Sequence, residues 1–402
     1  MATETRAWPD VTTAGKPRAT YPNARMALQS CEVEFTFDRF ADRALVRGAP
    51  IANTTDGITD KIVSILRQHI LERHGFDPGK ENVCDAALQL CHEHSFDPVQ
   101  DYLGRLIWDG RPRLETWLSR YVGAEDTPLH QAFGATALIA AVRRARQPGC
   151  KFDNVLVLEG LNQGEGKSSL LRILAGQEAL FTDQEVLHLN VREQQEAIAG
   201  KWIVELSELA GISRGEVERI KAFVSRTHDR ARPAYGRITV DQPRRCVFIG
   251  TTNQSQYLRD ATGNRRFWPV RVGAIDLAAM REDRDQLWAE AAVREAEGCS
   301  LALPQALWTT AAEAQSARME DDPWLENLAI LRGDVIEGEE RIAFAKVVSV
   351  LGIATERQST VVAKRIGDCM LRLGWAKPEK PFKLHGKSTR GYTRPVRDVT
   401  AM

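Results

Sequence analysis

A glycine-rich turn between an apolar run and a helix-like run carries the residues whose chemistry is easiest to assign. The apolar run, Val155–Leu158, is typical of a buried strand, and the turn that follows leads into a helical pattern. The turn and the first helical residues form one set of small or cationic residues: Gly160, Gly164, Gly166, Lys167, Ser168 and Ser169. Glycines let backbone N–H groups close around phosphate oxygens, a lysine reaches terminal phosphates, and a hydroxyl binds Mg²⁺. The pattern predicts a phosphate-binding loop for ATP and Mg²⁺, with Ser168 as a metal ligand.

The loop departs from the common spacing G-x-x-x-x-G-K at its first glycine. That spacing places the glycine at position 161, which is Leu161 here, whereas Gly160 stands one residue earlier. We therefore expect either a loop that is longer by one residue or a loop that tolerates leucine.

A second apolar run, Trp202–Leu206, contains one acid and is followed by another. An acid at the end of such a strand can hold Mg²⁺, and a second acid can polarise the attacking water. Glu205 is the favoured metal ligand, and Glu208 is the other candidate catalytic acid. The alternative for Glu208 is the exposed first turn of a helix.

Two further segments complete a candidate catalytic set. The run Cys246–Thr252 is typical of a third buried strand and ends at Asn253, which could contact the γ-phosphate or orient water. An asparagine that forms a turn is the alternative. Arg265 and Arg266 stand next to each other in GNRRFWPV, and one guanidinium could act in a neighbouring subunit's site as an arginine finger. Alternatively, these arginines belong to a surface loop or bind DNA phosphate.

Basic residues cluster in two places that could contact DNA. The first cluster follows the second strand and contains a possible base-stacking ring; its candidate DNA-binding residues are Lys221, Arg230, Arg232, Tyr235 and Arg237. A solvated loop, or arginines that bind ATP across an interface, are the alternatives. The second cluster follows three short helix patterns and lies in a strand–turn–strand pattern; its candidates are Lys383, Lys387 and Arg390. Helices followed by such a hairpin predict a winged-helix module, for DNA or, alternatively, for a protein partner.

The pattern of elements predicts an α/β fold with an ATPase core between two flanking regions. The expected divisions are a disordered segment (1–22), a small mainly helical domain (23–95) with a hairpin near Glu32–Gly48, a helical lead-in (96–150), the ATPase core (151–275), a helical lid or linker (276–322) and the winged helix (323–397).

Composition excludes several classes of protein without choosing a function. The 402 residues carry 54 basic and 54 acidic side chains, so the chain is not a globally basic nucleic-acid coat protein. No apolar run approaches the roughly 20 residues that span a bilayer, and the amino terminus lacks a signal-peptide core. We therefore expect a cytoplasmic protein with no membrane partner. The seven cysteines form no CxxC pair, which predicts neither a zinc ribbon nor a disulfide framework.

From about Asp97 to Val270 the chain resembles the virulence-associated protein E family of phages and mobile elements. That family is related to phage primase-helicases and, more distantly, to superfamily 3 helicases. The resemblance rests on five blocks: DPVQDYLGRLIWDGRPRLETWL, QPGCKFDNVLVLEG with the glycine loop, WIVELSEL, KAFVSRTHDRARPAYGR and GNRRFWPV. It implies a P-loop, AAA+-like ATPase core that acts on DNA as a homo-oligomeric ring, expected to be a hexamer. The implied site residues are Lys167, Ser168, Glu205, Asn253 and one of Arg265 and Arg266.

Together these observations favour a DNA-translocating ATPase, a replicative helicase that acts on single-stranded or forked DNA. The first 95 residues lack an obvious set of paired metal-binding acids, so we expect any primase to be a separate protein. Two alternatives remain at this point. One is an ATP-dependent origin-binding or initiation switch that does not unwind processively. The other is a P-loop small-molecule kinase, against which the third and fourth segments and the basic carboxyl-terminal cluster argue.

Overall fold

The computed structural model describes residues 7–49, 51, 57–160, 162, 164–207, 209, 214–231, 240–258, 263–319 and 322–396. The chain divides into two compact units. The first comprises residues 1–257 and 263–317, and the second comprises residues 258–262 and 318–402.

The amino-terminal part of the first unit packs helices against a small sheet. Its elements are α1 (Tyr21–Gln29), β1 (Val33–Asp38), β2 (Arg43–Gly48), α2 (Asp60–His74), α3 (Lys80–Glu93) and β3 (Ser95–Phe96). The three-stranded sheet has the order β2–β1–β3, with β1 and β2 antiparallel. The hairpin predicted near residues 32–48 and the mainly helical character predicted for residues 23–95 are confirmed.

The residues before α1 fold against this part of the unit, so the disorder predicted for residues 1–22 is wrong from residue 7 onwards. Asn23 is buried, and its Nδ2 donates to the carbonyl oxygen of Asp10 at 2.6 Å while its Oδ1 accepts from the Asp10 N–H at 3.1 Å. The Trp8 ring lies edge-on to Phe76 with centroids 5.0 Å apart. One buried amide and one tryptophan thus order a polar segment whose composition resembles that of disordered chains. Residues 1–6 lie outside the described residues.

The helical lead-in is confirmed and ends in a long buried helix. Its elements are α4 (Pro98–Arg105), α5 (Trp117–Val122) and α6 (Pro128–Arg146). Helix α6 begins at a proline, and the Thr127 hydroxyl accepts a hydrogen bond from the His130 N–H at 3.1 Å, which satisfies one free N–H of the first turn. Because α6 is apolar on most sides, it is buried between the sheet and other helices rather than lying on the surface.

A five-stranded parallel sheet forms the centre of the first unit. The elements of this region are β4 (Val155–Glu159), α7 (Lys167–Ala175), β5 (Phe181–Thr182), α8 (Val191–Ile198), β6 (Ile203–Leu206), α9 (Arg214–Val224), β7 (His228–Ala231), β8 (Val240–Pro243), β9 (Val247–Thr252) and β10 (Phe267–Arg271). The strand order is β10–β4–β9–β6–β5, and every pairing in it is parallel. Strands buried on both faces are nearly continuously apolar, which is why the three predicted strands could be located.

The helices that follow the sheet belong to the same core. They are α10 (Leu277–Ala296) and α11 (Trp308–Ser316), so the helical character predicted for residues 276–322 is confirmed. Trp288 of α10 is fully buried, donates its Nε1–H to the carbonyl oxygen of Leu174 at 2.9 Å, and lies 4.2 Å from the Trp202 ring. Since α10 packs on α6 and α7, it fixes the helix that begins at Lys167.

Strands β7 and β8 pair in antiparallel fashion. A buried ion pair holds the base of this strand pair. The guanidinium of Arg244 donates Nε to Asp229 Oδ2 at 2.5 Å and Nη2 to Oδ1 at 2.8 Å, and both side chains are almost wholly inaccessible. The Arg244 guanidinium also lies over the Phe223 ring at 4.3 Å. The strand pair is therefore anchored to α9 and to the sheet.

Replacing Asp229 with alanine should destabilise the first unit by about 3–5 kcal/mol, because it leaves the Arg244 charge buried without a counter-ion. Urea denaturation followed by tryptophan fluorescence measures the loss. Asp241→Ala, on the exposed face of β8, is the matched control and should change stability by no more than about 0.5 kcal/mol. Equal effects of the two substitutions would contradict this role of the ion pair.

The second unit combines short helices with two small sheets. Its elements are α12 (Trp324–Ala329), β11 (Asp334–Ile336), β12 (Glu339–Ala343), α13 (Phe344–Val350), α14 (Thr360–Arg372), β13 (Phe382–Leu384), β14 (Lys387–Thr389) and β15 (Gly391–Pro395). The sheets have the orders β11–β12–β15 and β13–β14. The helices and the carboxyl-terminal hairpin predicted here are confirmed.

Strands β11 and β12 were not predicted from the sequence. The second of the three helix patterns, RIAFAKVVSVLG, starts at Arg341, but Arg341–Ala343 lies in β12 and the helix begins at Phe344. The buried face of β12 carries Glu340, which pairs with Arg394 directly opposite on β15 at 2.8 Å. A buried charge pair breaks the apolar alternation by which strands are recognised.

Within the described residues, none of the helices is long and apolar enough to cross a bilayer.

Candidate functional site

The glycine loop joins the carboxyl end of β4 to the amino end of α7, as predicted. Gly164 and Gly166 have φ angles of 81° and 89°, in the left-handed region that favours glycine. Helix α7 starts directly after Gly166, so its free N–H groups point into the loop. The pairing of Glu159 with Thr252 and of Leu206 with Gly250 brings the ends of β4, β6 and β9 to one edge of the sheet. Side chains from three distant parts of the sequence therefore meet there.

Lys167 is held at this edge with its ammonium group inside the loop. Its side chain is 9% exposed, and Nζ donates to Asn253 Oδ1 at 2.8 Å, to Glu165 Oε2 at 3.2 Å and to the carbonyl oxygen of Asn162 at 3.4 Å. Gly160 lies beneath the ammonium, where a Cβ atom would be only 2.2 Å from Nζ. A side chain at position 160 would therefore displace the ends of the Lys167 and Glu165 side chains from the positions they occupy here. Leu161 lies outside the described residues.

Glu205 is buried at the end of β6 and is bound by two hydroxyl groups. Ser168 Oγ and Thr251 Oγ1 donate to its Oε1 at 2.8 and 2.7 Å. No residue in the described part of the chain gives a hydrogen bond to its Oε2, although the side chain is 2% exposed. A buried carboxylate oxygen without a partner is costly unless a cation binds it, and Mg²⁺ prefers hydroxyl and carboxylate oxygens. The residues present therefore fit the Mg²⁺ expected with ATP.

These groups line one open cavity of about 690 Å³. Its walls are residues 164–169, Glu205, Ser207 and residues 251–254. The cavity brings together most of the predicted nucleotide-binding residues, namely Gly164, Gly166, Lys167, Ser168, Ser169, Glu205 and Asn253. Sequence reasoning missed Thr251, which is the first of two threonines that end an otherwise apolar strand just before the predicted site residue Asn253. Glu208 lies outside the described residues.

Arg265 and Arg266 lie at the opposite edge of the sheet, at the amino end of β10. Phe267 pairs with Val155, so the length of a five-residue strand, about 16 Å, separates this edge from the glycine loop. Arg266 Nε donates to Asp153 Oδ2 at 3.2 Å and to Ser225 Oγ at 3.1 Å. The side chain of Arg265 is exposed. Neither guanidinium therefore belongs to the cavity of its own chain. The Arg266 guanidinium is bound by residues of its own subunit, whereas the Arg265 side chain extends into solvent.

The residues of the first predicted DNA-contacting cluster differ in their exposure to solvent. Lys221 lies in α9 with its side chain 5% exposed, and its Nζ donates to Glu218 Oε1 at 3.3 Å. A side chain in this position is not available to a DNA phosphate, so the prediction for Lys221 is not supported. Arg230 is exposed on β7. Arg232, Tyr235 and Arg237 lie outside the described residues.

The second predicted cluster surrounds a tight turn in the second unit. His385 and Gly386 both have positive φ angles, 51° and 79°, which matches a two-residue hairpin turn. Lys383, Lys387 and Arg390 are exposed on or beside this hairpin. The hairpin therefore displays basic side chains to solvent.

Comparison with known proteins gives one family and a set of solved structures. A sequence model of the virulence-associated protein E-like domain matches residues 103–320, more than half of the chain. No curated protein sequence matches the chain significantly. Among solved structures, the chain is similar to an apo structure of the NrS-1 C-terminal region (305–718), with 16% identity, coverage of 92% of this chain and 98% of that chain, and a TM-score of 0.48. It is likewise similar to an A-form apo structure of that region, with 13% identity, coverage of 94% and 100%, and a TM-score of 0.48. The chain belongs to the virulence-associated protein E-like domain family.

Proposed function

We propose that this chain is a DNA-dependent ATPase of the helicase type that serves the replication of a phage or mobile element. The observation that carries the proposal is the convergence of Lys167, Ser168, Glu205 and Asn253 on one open cavity at the carboxyl edge of a parallel sheet. Open parallel sheets bind ligands at this edge. In this proposal the first unit contains a P-loop, AAA+-like core, and the second unit is a winged-helix module.

Each residue of the cavity has a distinct task in this proposal. The N–H groups of the loop and the Lys167 ammonium would bind phosphate oxygens, with Lys167 exchanging Glu165 for a phosphate. Ser168 and Glu205 would hold Mg²⁺, which neutralises charge on the phosphates. The Asn253 amide, now bound to the Lys167 ammonium at 2.8 Å, would sense the γ-phosphate or orient the attacking water. Thr251 would keep the Glu205 carboxylate in position.

A neighbouring subunit would complete the site in a ring, which we propose to be a hexamer. Head-to-tail contacts generate rings when the rotation closes, and they bring opposite edges of successive subunits together. Arg265 is the better candidate for the arginine finger, because it is exposed whereas Arg266 is bound to Asp153 and Ser225 of its own chain. ATP would then lie between subunits.

The basic hairpin β13–β14 is the proposed wing that contacts the DNA backbone. Replacing Lys383, Lys387 and Arg390 together with alanine should weaken DNA binding at every sequence tested, since phosphate contacts carry no sequence information. The slope of log K against the logarithm of the salt concentration should decrease in magnitude by up to about three, because up to three phosphate contacts are lost. Fluorescence anisotropy with a forked oligonucleotide at several salt concentrations measures both effects.

A charge-matched control separates the hairpin from the overall charge of the protein. Lys16, Arg47 and Lys61 are exposed in the first unit, and their joint replacement with alanine removes the same charge. We expect this control to bind DNA with nearly the wild-type salt dependence. An equal loss of affinity in both triple variants would contradict a specific role of the hairpin.

Strand displacement on a forked DNA substrate tests the proposed function as a motor. The wild type should separate the strands when ATP and Mg²⁺ are present, and Lys167→Ala should not. DNA binding and ATP hydrolysis without strand separation would exclude the motor and favour an ATP-dependent initiation switch. Hydrolysis that is independent of DNA and stimulated by a small molecule would favour a kinase-like enzyme.

A further inference from the structure

An acidic residue lies inside the glycine loop, between the two glycines that shape it. The Glu165 carboxylate makes contacts on both sides. Oε1 accepts a hydrogen bond from the backbone N–H of Asn162 at 2.9 Å, and Oε2 lies 3.2 Å from the Lys167 ammonium. The side chain is 22% exposed, so these contacts are partly shielded from water. The loop therefore encloses a negative charge that belongs to the protein itself.

The partners of this carboxylate are the kinds of group that a phosphate would use. A phosphate-binding loop offers backbone N–H groups and one lysine ammonium, and Glu165 occupies one donor of each kind. The carboxylate also lies tightly against the backbone, because a Cβ atom on Gly160 would be 1.9 Å from Glu165 Oε2. The glycine at position 160 thus makes room for the contact between Glu165 and Lys167.

We propose that Glu165 is an internal competitor for the nucleotide phosphates and sets the affinity of the site for ATP. This inference rests on the proposed function of the cavity as an ATP site. A nucleotide can reach Lys167 only in molecules whose Glu165 carboxylate has moved away. The measured affinity is therefore the intrinsic affinity multiplied by the fraction of molecules in that state. The cost falls on association, because the displacement precedes the phosphate contact.

The amide variant Glu165→Gln tests the proposal, because it keeps the size of the side chain and removes its charge. Hydrogen bonds between charged partners are about twice as strong as neutral ones, so the amide should compete less well for Lys167. We expect the Kd for a fluorescent ATP analogue with Mg²⁺ to fall roughly tenfold, with most of the change in the association rate measured by stopped flow. Glu165→Ala should act in the same direction, which guards against an effect peculiar to glutamine.

Two controls make the outcomes distinct. Glu282→Gln removes an exposed carboxylate from α10 and should leave the Kd unchanged, while Lys167→Ala should abolish binding. If the wild type binds the analogue and both Glu165 variants bind it equally or more weakly, the competitor role is overturned and the ATP site stands. A faster dissociation from the Glu165 variants would likewise overturn it, since the carboxylate would then help to hold the nucleotide. If the wild type does not bind at all, the proposed function of the cavity itself fails.

Discussion

Lys167→Ala should lower kcat/KM for ATP hydrolysis by at least about 10²–10³-fold. The ammonium group lies inside the glycine loop, 2.8 Å from Asn253 Oδ1, so its loss would remove the positive charge proposed to face the phosphates. Because the site is partly shielded from water, a charge there is worth more than one on the surface. Phosphate release at several ATP concentrations measures the effect.

A matched lysine substitution controls for the loss of a charge anywhere in the protein. Lys61 is exposed in α2, and Lys61→Ala should hydrolyse ATP at the wild-type rate. Circular dichroism should show both variants to be folded, because Lys167 makes its contacts within the loop and at the sheet edge rather than in the apolar core. A Lys167→Ala protein that is folded and fully active would exclude this cavity as the ATP site.

Arg265→Ala should lower kcat by about 10³-fold or more while it leaves the affinity for ATP nearly unchanged. The guanidinium lies at the edge of the sheet opposite the cavity of its own chain, and so it can reach a nucleotide only in a neighbouring subunit. An arginine that acts there stabilises the transition state more than the ground state, which changes kcat rather than binding. Steady-state hydrolysis and equilibrium binding of an ATP analogue separate the two quantities.

Mixing two inactive variants tests whether the arginine acts between subunits. A Lys167→Ala subunit can offer Arg265 to an Arg265→Ala subunit whose loop is intact, so a mixed ring should recover part of the hydrolysis. Arg281→Ala, an exposed arginine of α10, is the control and should be active by itself. No recovery in any mixture of Lys167→Ala and Arg265→Ala would contradict an action in trans. The same experiment with Arg266→Ala shows whether the arginine bound to Asp153 has a separate role.

Strands β4, β6 and β9 and the glycine loop could be predicted because a single local pattern determines each of them. Strands buried on both faces are nearly continuously apolar, and the residues at their carboxyl ends must meet at one edge, which brought Lys167, Glu205 and Asn253 together. The strand β12 could not be predicted, because its buried face contains Glu340 and the partner that neutralises it is far away in sequence. Order in residues 7–22 was missed for a related reason, since it depends on the long-range contacts of Asn23 and Trp8.

Charge counting located basic segments but could not say which side chains are accessible. Lys221 contributed to a basic cluster in the sequence, yet its ammonium is buried and paired with Glu218 in the helix. Likewise, nothing in the sequence distinguishes Arg265 from Arg266, whereas in the structure Arg266 contacts Asp153 and Ser225 of its own chain. Glu165 carried no signal at all, because a single acid in a glycine loop has no periodic pattern, and its contacts depend on the loop conformation.

Phosphate release by the wild type and by Lys167→Ala, each with and without forked DNA, tests the central claim most directly. We predict Mg²⁺-dependent release by the wild type that rises when DNA is added, and release near background by Lys167→Ala under both conditions. Equal release by the two proteins, or no release by the wild type with DNA and Mg²⁺ present, would contradict the assignment of this cavity as the site of a DNA-dependent ATPase.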